Sequence, residues 1–304
     1  MKGSEALSGE GIQNAVLIAG PTASGKSALA LDIAERENGV IVNADSMQVY
    51  SVLKVLTARP GDAELARAPH LLYGHVDPGA TYSTGVWLRD VEQLIAEEKL
   101  AGRRPIFVGG TGLYFRALLE GLSAMPDIPD HIRAKWRARL DAEGAAGLHR
   151  VLQADDPVTA KTLKPGDGQR IVRALEVLEA SGRSIRDWQS ETSRPLIDQA
   201  TARLIVLDPP RPVIRERIAR RFEKMVEAGA VGEVQALLGL GLDPAMPAMK
   251  AIGVPEIAMA IGGEIPLQEA VERATIATRQ YAKRQATWFR HQLGTEWERR
   301  ETTF

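Results

Sequence analysis

Apolar residues first gather along the chain in a short block, Ala15–Ala19, which ends at Gly20. A glycine-rich turn follows, then SALALDIAER, whose apolar positions recur at helical spacing. Block, turn and periodic stretch predict a strand, a loop and a helix. The same order returns at Val40–Asn43 and at Pro105–Gly109, the second leading into GGTGLYFRALLEGL, with a helical stretch at Gly85–Leu100 between them. Strands alternating with helices predict an α/β core, a parallel sheet flanked by helices.

The pattern changes after about Leu122. From Asp130 to Trp188 the spacing predicts helix after helix and no strand, with breaks at Gly144, Gly147, Asp155–Pro157, Lys164–Gly168 and Gly182. A strand-like run returns at Arg203–Leu207, and helices follow, broken near Gly239–Met249 and Gly262–Pro266. The parse is a core of residues 1–121 and 201–304 interrupted by an all-helical insertion, 122–200. No internal repeat is visible.

Composition narrows this without redirecting it. Of 304 residues, 44% are hydrophobic and 25% charged, which is ordinary globular usage and excludes disorder, collagen and coiled coil. The longest apolar runs are too short to cross a bilayer, and MKGSEALSGE lacks the apolar centre of a targeting signal. A soluble, cytoplasmic chain is expected, monomeric because no exposed heptad asks for a partner. The absence of cysteine excludes disulfides, thiolate metal sites and cysteine nucleophiles. The histidines (70, 75, 131, 149 and 291) share no metal-ligand spacing, and a net charge of −1 neither requires nor excludes nucleic acid.

The chemistry begins at Gly20-Pro21-Thr22-Ala23-Ser24-Gly25-Lys26-Ser27, which fits the phosphate-loop template of nucleotide- and ATP-binding proteins in the strand-to-helix setting it needs. Turn amides and the helix start attract phosphate, Lys26 adds a mobile cation, and the Ser27 hydroxyl is placed to ligate Mg²⁺. Past the second strand, Asp45 is a general base, an Mg²⁺-water ligand or the cap of a following helix, with Ser46 and Gln48 as hydrogen-bonding neighbours. Gly109–Gly112, with Thr111, brings a third strand end to the same edge. Asp208 ends the late strand before Pro209-Pro210 and reads as a turn residue rather than a metal ligand.

GPTASGKS at 20–27, DSMQVY at 45–50, TARP at 57–60, GGTGLY at 109–114, QRIVRALEV at 169–177 and ATRQYAKRQATWFR at 277–290 run in one order over nearly the whole chain. In these motifs the chain resembles the tRNA dimethylallyltransferases, also called tRNA isopentenyltransferases, and, lacking cysteines for a zinc finger, their bacterial form. The resemblance implies a P-loop NTPase-like fold and Mg²⁺ as cofactor. The activity it implies is transfer of a dimethylallyl group from dimethylallyl diphosphate to N6 of the adenosine 3′-adjacent to the anticodon, in tRNAs reading codons that begin with U. It assigns Gly20, Pro21, Thr22, Ala23, Ser24, Gly25, Lys26 and Ser27 to the diphosphate and the proton-accepting role to Asp45. Thr111 with Arg217 or Arg221 would flank the bridging oxygen. It places the tRNA anticodon stem-loop against Asp45, Ser46, Met47, Gln48, Thr111, Arg133, Gln169, Arg170, Ile171, Val172, Arg173 and the 250–255 loop with Lys250. RAKWRARL at 133–140 and RQYAKRQATWFRH at 279–291 combine cations with aromatic rings, which suits RNA contact; the alternative for each is a solvated amphipathic helix, the more common outcome for a lone basic stretch. Departures are local: Leu56 stands where the family often has glycine, Arg59 where lysine is usual, and Val254-Pro255 where AIGY would place its tyrosine.

Three rivals share the phosphate loop. A small-molecule or nucleotide kinase would consume ATP, a free-nucleotide isopentenyltransferase would prenylate AMP, and a nucleotide-switch module would bind without turnover.

Overall fold

The computed structural model describes residues 11–301, so the N-terminal segment judged for targeting signals lies outside the described residues. Two compact units form, Met1–Leu119 with Leu196–Phe304, and Glu120–Pro195.

In the first unit, β1 (Val16–Ala19) leads to α1 (Lys26–Arg36), then β2 (Gly39–Asn43), the short α2 (Asp62–Leu65), β3 (His70–Leu71), α3 (Thr84–Ala96), β4 (Arg104–Gly109) and α4 (Gly112–Glu120). The six strands lie in the order β3-β2-β4-β1-β5-β6, completed by β5 (Arg203–Leu207) and β6 (Glu298–Arg300), and every neighbouring pair is parallel. With β1 at the centre, Ala19 sits beside Gly109 and Val206. β1 is apolar at every position because both faces of a parallel sheet are covered. One face carries Val16, Ile18, Ile41, Ile106 and Val108 against Leu29 and Ile33 of α1. On the other, Phe107 meets the edge of Trp87, which stacks at 4.2 Å on Tyr114.

The four apolar strands match their predicted positions, as does α3, which ends at Ala96 rather than Leu100. The two edge strands escape prediction. β3 is two residues long, and β6 reads Glu-Arg-Arg, so neither has an apolar run; their pairing comes from backbone hydrogen bonds to the neighbouring strand.

The second unit holds α5 (Asp130–Asp155), α6 (Pro157–Ala160), α7 (Gly168–Ser181) and α8 (Ile185–Ser190), with no strand among its described residues. α5 breaks at Gly144, whose φ of 68° and ψ of 168° are outside the helical region. Ile132, Trp136, Leu148, Leu152, Ile171 and Leu175 form its core. The unit ends at Pro195 rather than residue 200, because Leu196 and Ile197 are buried and hydrogen-bond to the Leu118 carbonyl, while the Ile12 amide donates to Leu196.

Past β5 come α9 (Arg211–Glu227), α10 (Ala230–Leu238), a 3₁₀ turn at Ala248–Lys250, α11 (Val254–Ile261) and α12 (Leu267–Gln292). Among the described residues no helix is long and apolar enough to cross a membrane.

Leu17, fully buried on the central strand, is the most direct test of this core. Leu17→Ala should lower the stability of the first unit by about 2–5 kcal/mol through lost burial and a cavity. Urea denaturation followed by tryptophan fluorescence measures it, and an unchanged midpoint would contradict the packing.

Candidate active site

The ends of β1, β2 and β4 meet at one edge. Between β1 and α1 the chain turns through Ala23 (φ 64°) and Gly25 (φ 96°), left-handed conformations that fold the loop's backbone into a concave cradle. Gly25 tolerates this freely; Ala23 is held there at some cost. The first amides of α1, at Lys26 and Ser27, have no partner within the helix and carry its positive end. Two members of the loop behave differently from expectation. The Thr22 amide is already used, donating to Gln285 Oε1 at 2.9 Å, so it is not free for a phosphate. Ser24 is buried, and its hydroxyl has no hydrogen-bond partner.

At the end of β2, fully buried Asn43 fixes the next turn. Its Oδ1 accepts from the Asp45 amide at 2.9 Å, and its Nδ2 donates to the Asp45 and Leu72 carbonyls, both at 3.0 Å. Asp45 Oδ1 in turn accepts from the Met47 amide at 3.0 Å. The structure therefore corrects the helix-cap alternative: residues 46–61 contain no helix, and Asp45 closes a tight turn with one oxygen. Its other oxygen, Oδ2, lies 3.2 Å from where a Cβ on Gly110 would stand. Thr111 joins the two strand ends, its amide donating to the Ala44 carbonyl (3.2 Å) and its hydroxyl accepting from the Ser46 amide (3.0 Å).

Lys26, Arg221 and Asp45 share this space electrostatically. Burial, the largest influence, pulls the Lys26 ammonium down to about 8; Asp45 counters it, and Arg221 adds to it. Arg221 is likewise lowered by burial and raised by Asp45. Arg217, one helical turn away and exposed, instead donates to the Ala23 and Ser24 carbonyls at 3.4 and 3.2 Å. Of the two arginines, Arg221 is the one that feels the Asp45 charge, while its guanidinium donates to the Thr57 carbonyl at 3.4 Å. Burial raises the phenols of Tyr73, Tyr114 and Tyr281 in turn, and Asp45 raises each further.

Other predicted contacts sort by exposure. Gln48 spends its amide on the Thr57 and Ala58 carbonyls (2.8 and 3.2 Å), holding the TARP segment rather than offering that donor outward. Met47 is half-buried and lies against the core, while Lys250 is exposed. In the second unit, Ile171 and Val172 are buried in its core, so their side chains serve packing and cannot reach a nucleic acid. Gln169 and Arg170 are exposed; Arg170 pairs with Asp167 and Arg173 with Glu176. Arg133 donates to the Ile128 carbonyl at 3.1 Å, Lys135 pairs with Glu179, and Arg139 pairs with Glu143 while lying over Trp136. Arg137 is exposed and has no ion-pair partner among the described residues. Asp208 ends β5 with its amide on the Arg300 carbonyl and an ion pair to Arg290.

Sequence reasoning missed Glu233 and Gln285. Glu233 accepts from the amides of Lys54, Val55 and Leu56 and so holds the approach to TARP. Gln285 had a visible signal, a polar residue on the apolar face of α12 between Ala282 and Phe289.

For Mg²⁺ the donor set is sparse. Ser27 offers one exposed hydroxyl and Asp45 one carboxylate oxygen not taken by Met47, and no cluster of three or more acidic or histidine side chains exists among the described residues. That suits an ion held mostly by phosphate oxygens and water, which is how Mg²⁺ commonly binds, rather than by a protein cage.

A concave backbone loop facing a carboxylate at the edge of a parallel sheet is the arrangement of the P-loop NTPase-like fold class. Residues 48–292 match the model of the IPP transferase family, and residues 13–75 that of the isopentenyl transferases. A Mesorhizobium japonicum tRNA dimethylallyltransferase is 64% identical over 98% of this chain and 93% of its own length. One from Agrobacterium fabrum is 58% identical over 94% and 96%. Among solved structures, a Bacillus halodurans tRNA isopentenylpyrophosphate transferase superposes with a TM-score of 0.67 at 31% identity, covering 95% of this chain and 90% of that one. A eukaryotic dimethylallyltransferase acting on tRNA gives a TM-score of 0.75 at 26% identity, covering 91% and 70%. The chain belongs to the IPP transferase family.

The lowered Lys26 gives a pH prediction. With its ordinary value near 10.5 and its folded value about 8, Lys26 is a cation below pH 8 and loses charge above it. Inorganic diphosphate should restore the charge, so binding should take up a proton near pH 8 and weaken as pH rises further. Calorimetry in buffers of different ionisation enthalpy measures the uptake. Lys26→Ala should abolish it, and equal uptake by the variant would exclude Lys26 as its source.

Proposed function

We propose that the chain transfers a dimethylallyl group from dimethylallyl diphosphate to N6 of the adenosine 3′-adjacent to the anticodon, in tRNAs reading codons that begin with U. The observation that carries this reading is Asp45, with one oxygen unused by its own turn, beside two half-buried cations and the phosphate cradle. The bond broken is between the allylic carbon and the bridging oxygen, and the bond formed joins that carbon to N6. Negative charge grows on the departing diphosphate, where the Lys26 and Ser27 amides, the Lys26 ammonium and Arg221 stabilise it. The Thr111 hydroxyl flanks the bridging oxygen. Arg217 acts from behind by bracing the loop carbonyls. Mg²⁺, bound to the diphosphate with Ser27, would supply further charge neutralisation to the leaving group.

Adenine N6 is a weak nucleophile because its lone pair is delocalised into the ring. Asp45 Oδ2 takes the proton that N6 loses as the new bond forms, and the base must leave its stack to reach it. Ser46, the half-buried Arg173 and the exposed Gln169, Arg170 and Lys250 are polar or cationic groups suited to RNA, as is the outer face of α12 with Lys283, Arg284 and Trp288 around a shallow groove. The acting form proposed is a monomer.

Incubating the protein with tRNA, Mg²⁺ and dimethylallyl diphosphate, then analysing nucleosides by mass, tests the reading: N6-isopentenyladenosine supports it. A phosphorylated product made only with ATP would favour a kinase, and prenylated AMP with unmodified tRNA the free-nucleotide enzyme. Asp45→Asn should slow single-turnover transfer about 10²-fold or more with both substrates still bound. A near-normal rate would remove Asp45 from the proton transfer. Arg137→Ala should weaken tRNA binding and reduce its dependence on salt by roughly one unit of log–log slope. Unchanged affinity and a parallel slope would show that Arg137 meets no phosphate.

A further inference from the structure

Gln285 is buried, 5% exposed, yet it lies on the apolar face of a long helix. A buried amide needs partners on both ends, and this one has them on two different loops. Its Oε1 accepts from the Thr22 amide of the phosphate loop at 2.9 Å, and its Nε2 donates to the Gly110 carbonyl beyond β4, also at 2.9 Å. The two bonds also fix the amide's orientation, because reversing it would set donor against donor and acceptor against acceptor.

The fit at Gly110 is close: a Cβ there would stand 2.1 Å from Gln285 Nε2 and 3.2 Å from Asp45 Oδ2. One turn further along the same helix, the Trp288 ring covers Gly112 so closely that a Cβ would be 2.2 Å from it. α12 thus grips the Gly110–Gly112 segment twice and the phosphate loop once. Among the described residues no direct hydrogen bond joins these two loops, although both border the same carboxylate and cation.

We propose that Gln285 is a positioning residue for the transfer reaction, a two-way bracket that sets the distance between the phosphate loop and the Gly110–Thr111 segment. It touches neither substrate. Through Thr22 it holds the cradle, and through Gly110 it holds the backbone beneath Asp45 and beside Thr111. The inference rests on the functional reading above for its consequence in catalysis, while its geometry is independent of that reading.

Two substitutions separate bracketing from simple packing. Gln285→Glu keeps shape and size. As a carboxylate it still accepts from Thr22 but opposes the Gly110 carbonyl; when protonated, it can donate again. The titratable and charged groups near it are Tyr281, a neutral phenol that hydrogen-bonds to Gln285, and Arg284 on its own helix, and Asp45 beside Gly110, which is in turn coupled to Lys26 of the phosphate loop and Arg221 of α9. Burial and the nearby Asp45 should raise the new carboxyl above the ordinary glutamate value of about 4.3. Gln285→Leu removes both bonds at every pH.

The measurements are inorganic diphosphate affinity by calorimetry and, separately, KM for dimethylallyl diphosphate and kcat, each as a ratio to the unaltered protein at the same pH. Gln285→Glu should bind diphosphate about tenfold or more weakly near pH 8 and recover as pH falls toward about 5.5, whereas Gln285→Leu should stay weak throughout. tRNA affinity should move little in either. A Gln285→Glu ratio near one at all pH values, or a deficit that follows thermal stability and not pH, would overturn the proposal. Failure of the unaltered protein to prenylate tRNA would overturn the functional reading alone, since the diphosphate titration still decides this one.

Discussion

The site depends on how closely β2 and β4 end side by side. At Gly109 the chain passes so near the Ala44 carbonyl that a Cβ would stand 1.9 Å from its oxygen, so no side chain fits there. That approach brings Asp45 over Gly110 and lets Thr111 bond to both Ala44 and Ser46. Widening the gap by one methyl group would separate the carboxylate from the loop that faces it. The backbone amides and carbonyls, more than any side chain, thereby set where the acid stands.

Electrostatics builds on that spacing. Lys26 and Arg221, both half-buried, lose part of their hydration, and Asp45 returns some of what they lose. Two cations and one anion leave an excess positive charge at low local dielectric, an arrangement that favours an incoming polyanion more than it would in water. Arg217, four residues from Arg221 on the same helix, shows how finely this is divided, because its exposed guanidinium braces carbonyls and takes no part in that balance.

Where local pattern governs, the sequence was readable. Each central strand carries an apolar run because helices cover both sheet faces, and the phosphate loop places glycine at Gly25, one of its two left-handed positions, so both leave marks in composition and spacing. β3 and β6 leave none, since an edge pairing rests on backbone hydrogen bonds that any residue can make. Asp45 was legible as an acid at a strand end, yet its choice of a turn over a helix cap depends on buried Asn43 and on the absence of a helix after it. Ile171 and Val172 sit inside a motif whose resemblance implies RNA contact, but helical periodicity turns them inward while Gln169 and Arg170 face out. Gln285 and Glu233 act across 263 and more than 170 residues of chain, and no window of sequence contains both ends of such a bond.

The departures from the family pattern also make sense only in three dimensions. Leu56, in place of a frequent glycine, and Val254, in place of a tyrosine, fall in one buried cluster with Phe222, and Gly253 approaches Leu56 so closely that a Cβ would be 2.8 Å from its Cδ2. Close-packed interiors tolerate a larger side chain at one position best when a neighbour shrinks, and total volume is roughly kept. Glycine to leucine at 56 adds more volume than tyrosine to valine removes at 254, so the two changes offset each other only in part. The strand-end cleft keeps its shape because Glu233 still anchors the amides of residues 54–56 whatever side chain residue 56 carries.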